Sequence, residues 1–125
     1  MPVTVVTASA LVLLLSALSV NVSRLRLRYR ISFGNGPHKN LEAAVRAHGN
    51  TLEQVPVFVL LVLLTEWQSA PAPWLGAVAL AFVVARLLYA FAVFSRRLPL
   101  RQLAHAVSVV LSLGLALRLL WGQLA

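Results

Sequence analysis

The sequence predicts an all-α fold, an integral membrane four-helix bundle, and three observations predict it. The 125 residues are 60% apolar and only 11% charged, with a mean hydropathy of +0.85, far from the balance of a soluble domain. Four apolar segments account for most of the chain, and at about 20 residues each is long enough to cross a hydrocarbon core of ~30 Å. Those segments also lack the polar outer faces that helices of a soluble bundle present to water.

The first span, residues 3–22, runs from Val3 to Val22 without a charge. A secretory signal is also apolar and N-terminal, but it places positive charge ahead of its apolar stretch. Here Met1 to Val22 contains no Lys or Arg and the basic residues follow, so a retained span is expected. The turn cluster Gly34-Asn35-Gly36-Pro37 ends the basic extension of this helix. The second span, residues 41–65, begins with polar residues and closes as the apolar run Val55 to Leu64. Pro71 and Pro73 break the chain before the third span, residues 74–94, whose single charge is Arg86. Pro99 is expected to interrupt it before the fourth, residues 103–121, which contains His105 and Arg118. Trp67, Trp74 and Trp121 fall at span ends, as an aromatic belt requires. With no repeat and no low-complexity tract, residues 1–125 read as one domain.

Orientation follows from the eleven Lys and Arg. Arg24, Arg26, Arg28, Arg30 and Lys39 lie between the first two spans, and Arg96, Arg97 and Arg101 between the last two. The connection from Glu66 to Pro73 has none. The positive-inside rule therefore places the two basic loops in the cytoplasm and both termini outside, in a multi-pass protein of a bacterial inner membrane. The formal charge of +8 is explained by this topology and by attraction to anionic membrane lipids, and no nucleic-acid partner is expected.

The chemistry is concentrated in the first half of the second span. Arg46, His48, Asn50 and Glu53 sit inside a membrane-spanning stretch, where ionisable groups are expensive and mark functional sites. Helical geometry puts Glu42, Arg46, Asn50 and Glu53 on one narrow face with Gly49 beside them, and turns His48 about 160° away. Arg86 and Tyr89 are one turn apart in the third span, and Arg101 and Gln102 open the fourth. Together these residues outline a basic pocket at the cytoplasmic end.

Plainer readings stand beside this one. Arg46 and Glu53 form a structural ion pair on one of them, Arg86 pairs with Glu53, and Arg101 snorkels to the interface. Asn50 then ties helices by a hydrogen bond worth roughly 0.6 to 2 kcal/mol, and His105, Ser108 and Ser112 are packing residues on a shared face. No metal site is expected, because three His without ligand spacing and three carboxylates do not make a zinc or di-iron centre. The chain has no Cys, so any thiol chemistry must use a thiol from elsewhere.

The run Arg46-Ala47-His48-Gly49-Asn50-Thr51-Leu52-Glu53-Gln54-Val55-Pro56 resembles the second-helix signature of the MAPEG family, the membrane-associated proteins in eicosanoid and glutathione metabolism. Gly34-Asn35-Gly36 and Val57-Phe58 are similar to its small bacterial members. Ala85-Arg86-Leu87-Leu88-Tyr89 and Arg97-Leu98-Pro99-Leu100-Arg101 extend the resemblance to the third and fourth helices. It implies a homotrimer with glutathione, as cosubstrate, bound between neighbouring protomers near the cytoplasmic side. It further implies that Arg46, Asn50 and Glu53 hold the glutathione backbone, that Tyr89 and Arg26 line the site, and that Arg101 stands beside the sulfur as the catalytic residue; Gln102, next to Arg101 in the basic pocket, is counted with the binding residues.

Glutathione carries two carboxylates, one ammonium and a thiol, which a pocket of several Arg and one Glu complements in sign and number. An Arg beside the sulfur favours the nucleophilic thiolate. The implied activity is that of a transferase or peroxidase acting on an apolar small-molecule electrophile or hydroperoxide. The chain departs from many eukaryotic members in having Gln54 after the Glu of the second helix and Val93 one turn beyond Tyr89, where Tyr often stands, so a tyrosine-assisted thiol is not expected. Two alternatives of other classes are a noncatalytic trimeric membrane protein binding a lipid or small anionic ligand, and a small multidrug exporter. The exporter usually needs a carboxylate in its first span, and Val3 to Val22 has none.

Overall fold

The computed structural model of the protein describes residues 1–68 and 70–125. It consists of four helices, α1 (Pro2–Tyr29), α2 (Lys39–Trp67), α3 (Ala72–Phe94) and α4 (Leu98–Leu124), each long and apolar enough to cross a membrane. No strand occurs among the described residues.

The helices run up and down in chain order, as their short connections dictate. At one end, the Tyr29 ring closing α1 stacks on His38 before α2 with centroids 3.7 Å apart, and the Tyr29 hydroxyl accepts a 2.6 Å hydrogen bond from Asn40 Nδ2. Both basic loops lie at this end. At the other end Arg118 of α4 stands 4.9 Å from the Trp74 ring of α3. Here too the Glu66 carboxylate of α2 accepts hydrogen bonds from Val3 N (2.9 Å), Thr4 N (2.8 Å) and Thr4 Oγ1 (2.6 Å). The first amides of a helix have no intrahelical acceptor, and Glu66 supplies one from a different helix.

All four helices are longer than their apolar spans. α4 starts at Leu98, not beyond Pro99, because proline in a first turn lacks an N–H that would be unpaired in any case. Arg101 therefore stands in the first turn of α4. Pro73 opens α3 in the same way, and α2 passes through Pro56 without ending. α1 closes on Arg30 in the left-handed conformation, and Gly34 and Gly36 adopt φ of 66° and 54°, so the predicted turn cluster does reverse the chain.

The core is a file of three clusters. Leu11, Val55, Phe58, Val62, Leu75, Ala79, Phe82 and Leu115 fill the half away from the basic loops, with the Phe58 and Phe82 rings stacked 3.6 Å apart. Leu18, Ala47, Tyr89, Ala90, Val93 and Ala104 form the middle, and Leu25, Leu41 and Ala44 the basic end. Along α2 the buried positions are Leu41, Ala44, Ala47, Thr51, Val55, Phe58, Val62 and Thr65, a single stripe at three- and four-residue spacing. Large apolar side chains such as Leu13, Leu80, Val110 and Leu113 remain more than half exposed, the surface of a bundle whose solvent is lipid.

Candidate functional site

The buried stripe of α2 fixes where its polar residues go. At 100° per residue, Glu42, Arg46, Gly49 and Glu53 point roughly 150–170° away from that stripe, off the protomer's own core. Asn50 lies on the flank between the two. The turn at Gly34 and Asn35 folds over the start of this face, and Tyr89 reaches it from α3. The result is a cleft of about 440 Å³ lined by Gly34, Asn35, Glu42, Val45, Arg46, Gly49, Asn50, Glu53 and Tyr89. Volumes of roughly 300–1,000 Å³ are usual for small-molecule sites. An added Cβ at Gly49 would meet no atom within 4 Å, so packing within the chain does not require glycine there.

A second cavity of about 320 Å³ adjoins the first. Lys39, Glu42, Ala43, Arg46, Ala92, Val93, Arg96, Leu98 and Arg101 line it, so Glu42 and Arg46 are common to both. Arg46 thus stands between the Asn50–Glu53 wall and Arg101. Its pairing with Glu42 is loose, at 3.8 Å with both side chains about half exposed, and is the one ion pair among the described residues. Glu53 is exposed.

Behind the cleft lies Arg86, the largest fully buried side chain in the protein, at 0% exposure. Its guanidinium binds three helices together without a carboxylate. Nη2 donates to Asn50 Oδ1 (2.6 Å) and Thr51 Oγ1 (3.0 Å) of α2, Nη1 donates to Ser108 Oγ (3.2 Å) of α4, and Cζ lies 4.4 Å from the Tyr89 ring centroid. Ser108 in turn donates to the Ala104 carbonyl at 3.0 Å. Arg86 Nε, His105 Nδ1 and Ser112 Oγ are buried and have no partner among the described residues.

Of the residues singled out in the sequence, the structure gathers Arg46, Asn50, Glu53 and Tyr89 around one cleft, with Arg101 in the adjoining cavity. It does not bring Arg26 or Gln102 into either. Arg26 donates to the carbonyls of Ile31 (3.4 Å) and Gly34 (2.8 Å) and so clasps the loop that forms the cleft's rim. Gln102 is exposed on α4. His48 lines neither cavity, as its direction on the helix predicts.

Three of the plainer readings are corrected. Arg46 pairs with Glu42 and not with Glu53. Arg86 pairs with Asn50, Thr51 and Ser108 and not with Glu53. Ser108 is more than a packing residue, because it accepts from the buried guanidinium. Asn50 does tie α2 to α3 by a hydrogen bond, with Arg86 as the partner. A depth count would have found the set. Arg86, Asn50, Thr51 and Ser108 each lie 8 to 12 residues from the basic-loop end of their helix, or about 12–18 Å at 1.5 Å per residue. Glu66, the cap on α1, carried no such signal.

This arrangement coincides with a family assignment. The MAPEG family matches residues 4–121, nearly the whole chain and all four helices. The chain is 29% identical over 109 residues to the inner membrane protein YecN of Escherichia coli strain K12, an alignment covering 87% of this chain and 83% of that one. The YecN protein of Escherichia coli O6:H1 gives the same values. The four-helix membrane fold, the signature on α2 and the extent of the match agree, and the chain belongs to the MAPEG family.

Proposed function

We propose that the protein is a membrane-embedded glutathione-dependent transferase or peroxidase acting on apolar electrophiles or hydroperoxides. The MAPEG family includes glutathione-dependent enzymes. The observation that carries the reading is the polar face of α2, where an Arg, an Asn and a Glu line a cleft without satisfying one another. In lipid such a face must be covered. A ligand carrying both carboxylates and an ammonium answers its charges, and a neighbouring copy of the chain would close it, which supports a homotrimer with the site between protomers.

In this reading Arg46 and Asn50 take carboxylate or carbonyl oxygens of glutathione and Glu53 takes the ammonium. Tyr89 contributes a wall, and Arg26 holds the rim. Arg101 faces the adjoining cavity, where a positive charge beside the thiol favours its anion. With an electrophile, the thiolate forms a carbon–sulfur bond as the leaving group departs with its electron pair. With a hydroperoxide, the thiolate attacks the distal oxygen, the O–O bond breaks to release an alcohol once protonated, and a second glutathione reduces the resulting sulfenic acid, giving glutathione disulfide and water. Lipid access between helices brings the apolar substrate. The basic loops lie in the cytoplasm, both termini lie outside, and the membrane is the bacterial inner membrane.

The test is glutathione consumption by purified protein in detergent, supplied in turn with a model electrophile and a lipid-soluble hydroperoxide, with native mass spectrometry of the same sample. Turnover in either assay by a three-chain species supports the proposal. A folded protein that is inert in both and binds no glutathione leaves a noncatalytic membrane protein as the reading.

A further inference from the structure

We infer that Arg86, which does not itself line the cleft, is the positioning residue of the site: it fixes Asn50 so that the cleft wall there presents an N–H donor, and it holds Tyr89 beside it. The inference rests on the glutathione reading for the ligand but not for the pairing. Arginine has donors and no acceptor, so the Asn50 atom 2.6 Å from Nη2 must be the carbonyl oxygen. The amide nitrogen is then directed away from Arg86. It has no partner among the described residues and is not buried, and Asn50 lines the cleft. A free asparagine amide is able to flip and offer either atom. This one is not, because a flip would set an NH2 against a buried guanidinium.

The same guanidinium lies 4.4 Å from the Tyr89 ring centroid, so two lining residues from two helices are held by one buried group. Thr51 accepts the second Nη2 proton and Ser108 one Nη1 proton, which holds the guanidinium from the far side. No carboxylate pairs with it among the described residues, so its charge is answered only by neutral acceptors and an aromatic face. The field that remains reaches the cleft at Asn50 and favours an acceptor, a carboxylate or a carbonyl oxygen, in the ligand atom placed there.

Asn50→Asp tests this with a side chain of the same shape. One carboxylate oxygen pairs with Arg86, while the outward atom changes from donor to acceptor. The expected result is a folded protein whose melting temperature in detergent is equal to or above that of the wild type. Its glutathione affinity falls at least about tenfold, because a ligand oxygen now faces an oxygen. Asn50→Leu and Arg86→Met, which break the pairing, lower both the melting temperature and the affinity. If Asn50→Asp melts as low as Asn50→Leu, the pairing is wrong. If Asn50→Asp binds glutathione as tightly as the wild type, the outward donor is not used and the positioning role falls. A wild type that binds no glutathione overturns the proposed function instead, and the melting temperatures still decide whether Arg86 holds Asn50.

Discussion

Arg46→Ala separates recognition from folding, because Arg46 contributes almost nothing to the free protein. It is about half exposed, its one ionic partner is Glu42 at 3.8 Å, and exposed pairs of this kind are worth about 0–1 kcal/mol. The substitution also leaves a good helix former in α2. The change in unfolding free energy should therefore stay below about 1 kcal/mol, a shift of a few degrees in melting temperature for a chain of this size. Binding is different. Arg46 stands at the junction of both cavities, and truncating one partner of a desolvated charged contact costs about 2–5 kcal/mol, since the ligand carboxylate is left unpaired. At about 1.4 kcal/mol per factor of ten, glutathione affinity should fall roughly 30-fold to several thousand-fold. Isothermal titration of wild type and variant in the same detergent measures the loss, and a thermal melt of each confirms the fold. An affinity within threefold of wild type at unchanged melting temperature would refute the assignment of this face to glutathione.

The other predictions concern the sulfur, the far end of the bundle and the topology. Arg101→Ala should retain bound glutathione while losing the thiolate ultraviolet band and most turnover, because Arg101 lies in the adjoining cavity away from Asn50 and Glu53; a variant that keeps band and rate places thiolate stabilisation elsewhere. Glu66→Ala should cost about 2–3 kcal/mol of stability, because it removes the acceptor of three hydrogen bonds at the start of α1, and should leave glutathione affinity unchanged; denaturant titration of the reconstituted protein measures the first and calorimetry the second. Reporter fusions at Gln68 and after Ala125 should signal from outside the cytoplasm, since the basic residues cluster in the two opposite loops, and a cytoplasmic signal at either would invert the topology.

The helices were legible in the sequence because lipid leaves few choices. A backbone without water must satisfy its own hydrogen bonds, so apolar stretches of this length become helices and short loops make them antiparallel. Helix ends were less legible: the apolar count stops at Leu103, whereas α4 begins at Leu98, because Pro99, Arg101 and Gln102 interrupt the apolar run without interrupting the helix. The polar face of α2 was readable from angles alone, since Glu42, Arg46, Gly49, Asn50 and Glu53 share one helix. The partners of Arg86 were not. They come from two other helices, and choosing among Glu53, Asn50, Thr51 and Ser108 requires knowing which faces meet, which periodicity within one helix does not contain. The second cavity was hidden for the same reason: Arg101 and Arg46 are 55 positions apart and adjoin only once α2 and the start of α4 are placed.

The decisive property is whether the polar face of α2 binds glutathione as the anion. Ultraviolet difference spectroscopy on the purified wild-type protein in detergent, titrated with glutathione near neutral pH, reads both at once. A saturable thiolate band is predicted, absent from the same titration of Glu53→Ala, whose site has lost the carboxylate that takes the ammonium. A folded wild-type protein that develops no saturable band, or a Glu53→Ala variant that develops it unchanged, would contradict the account.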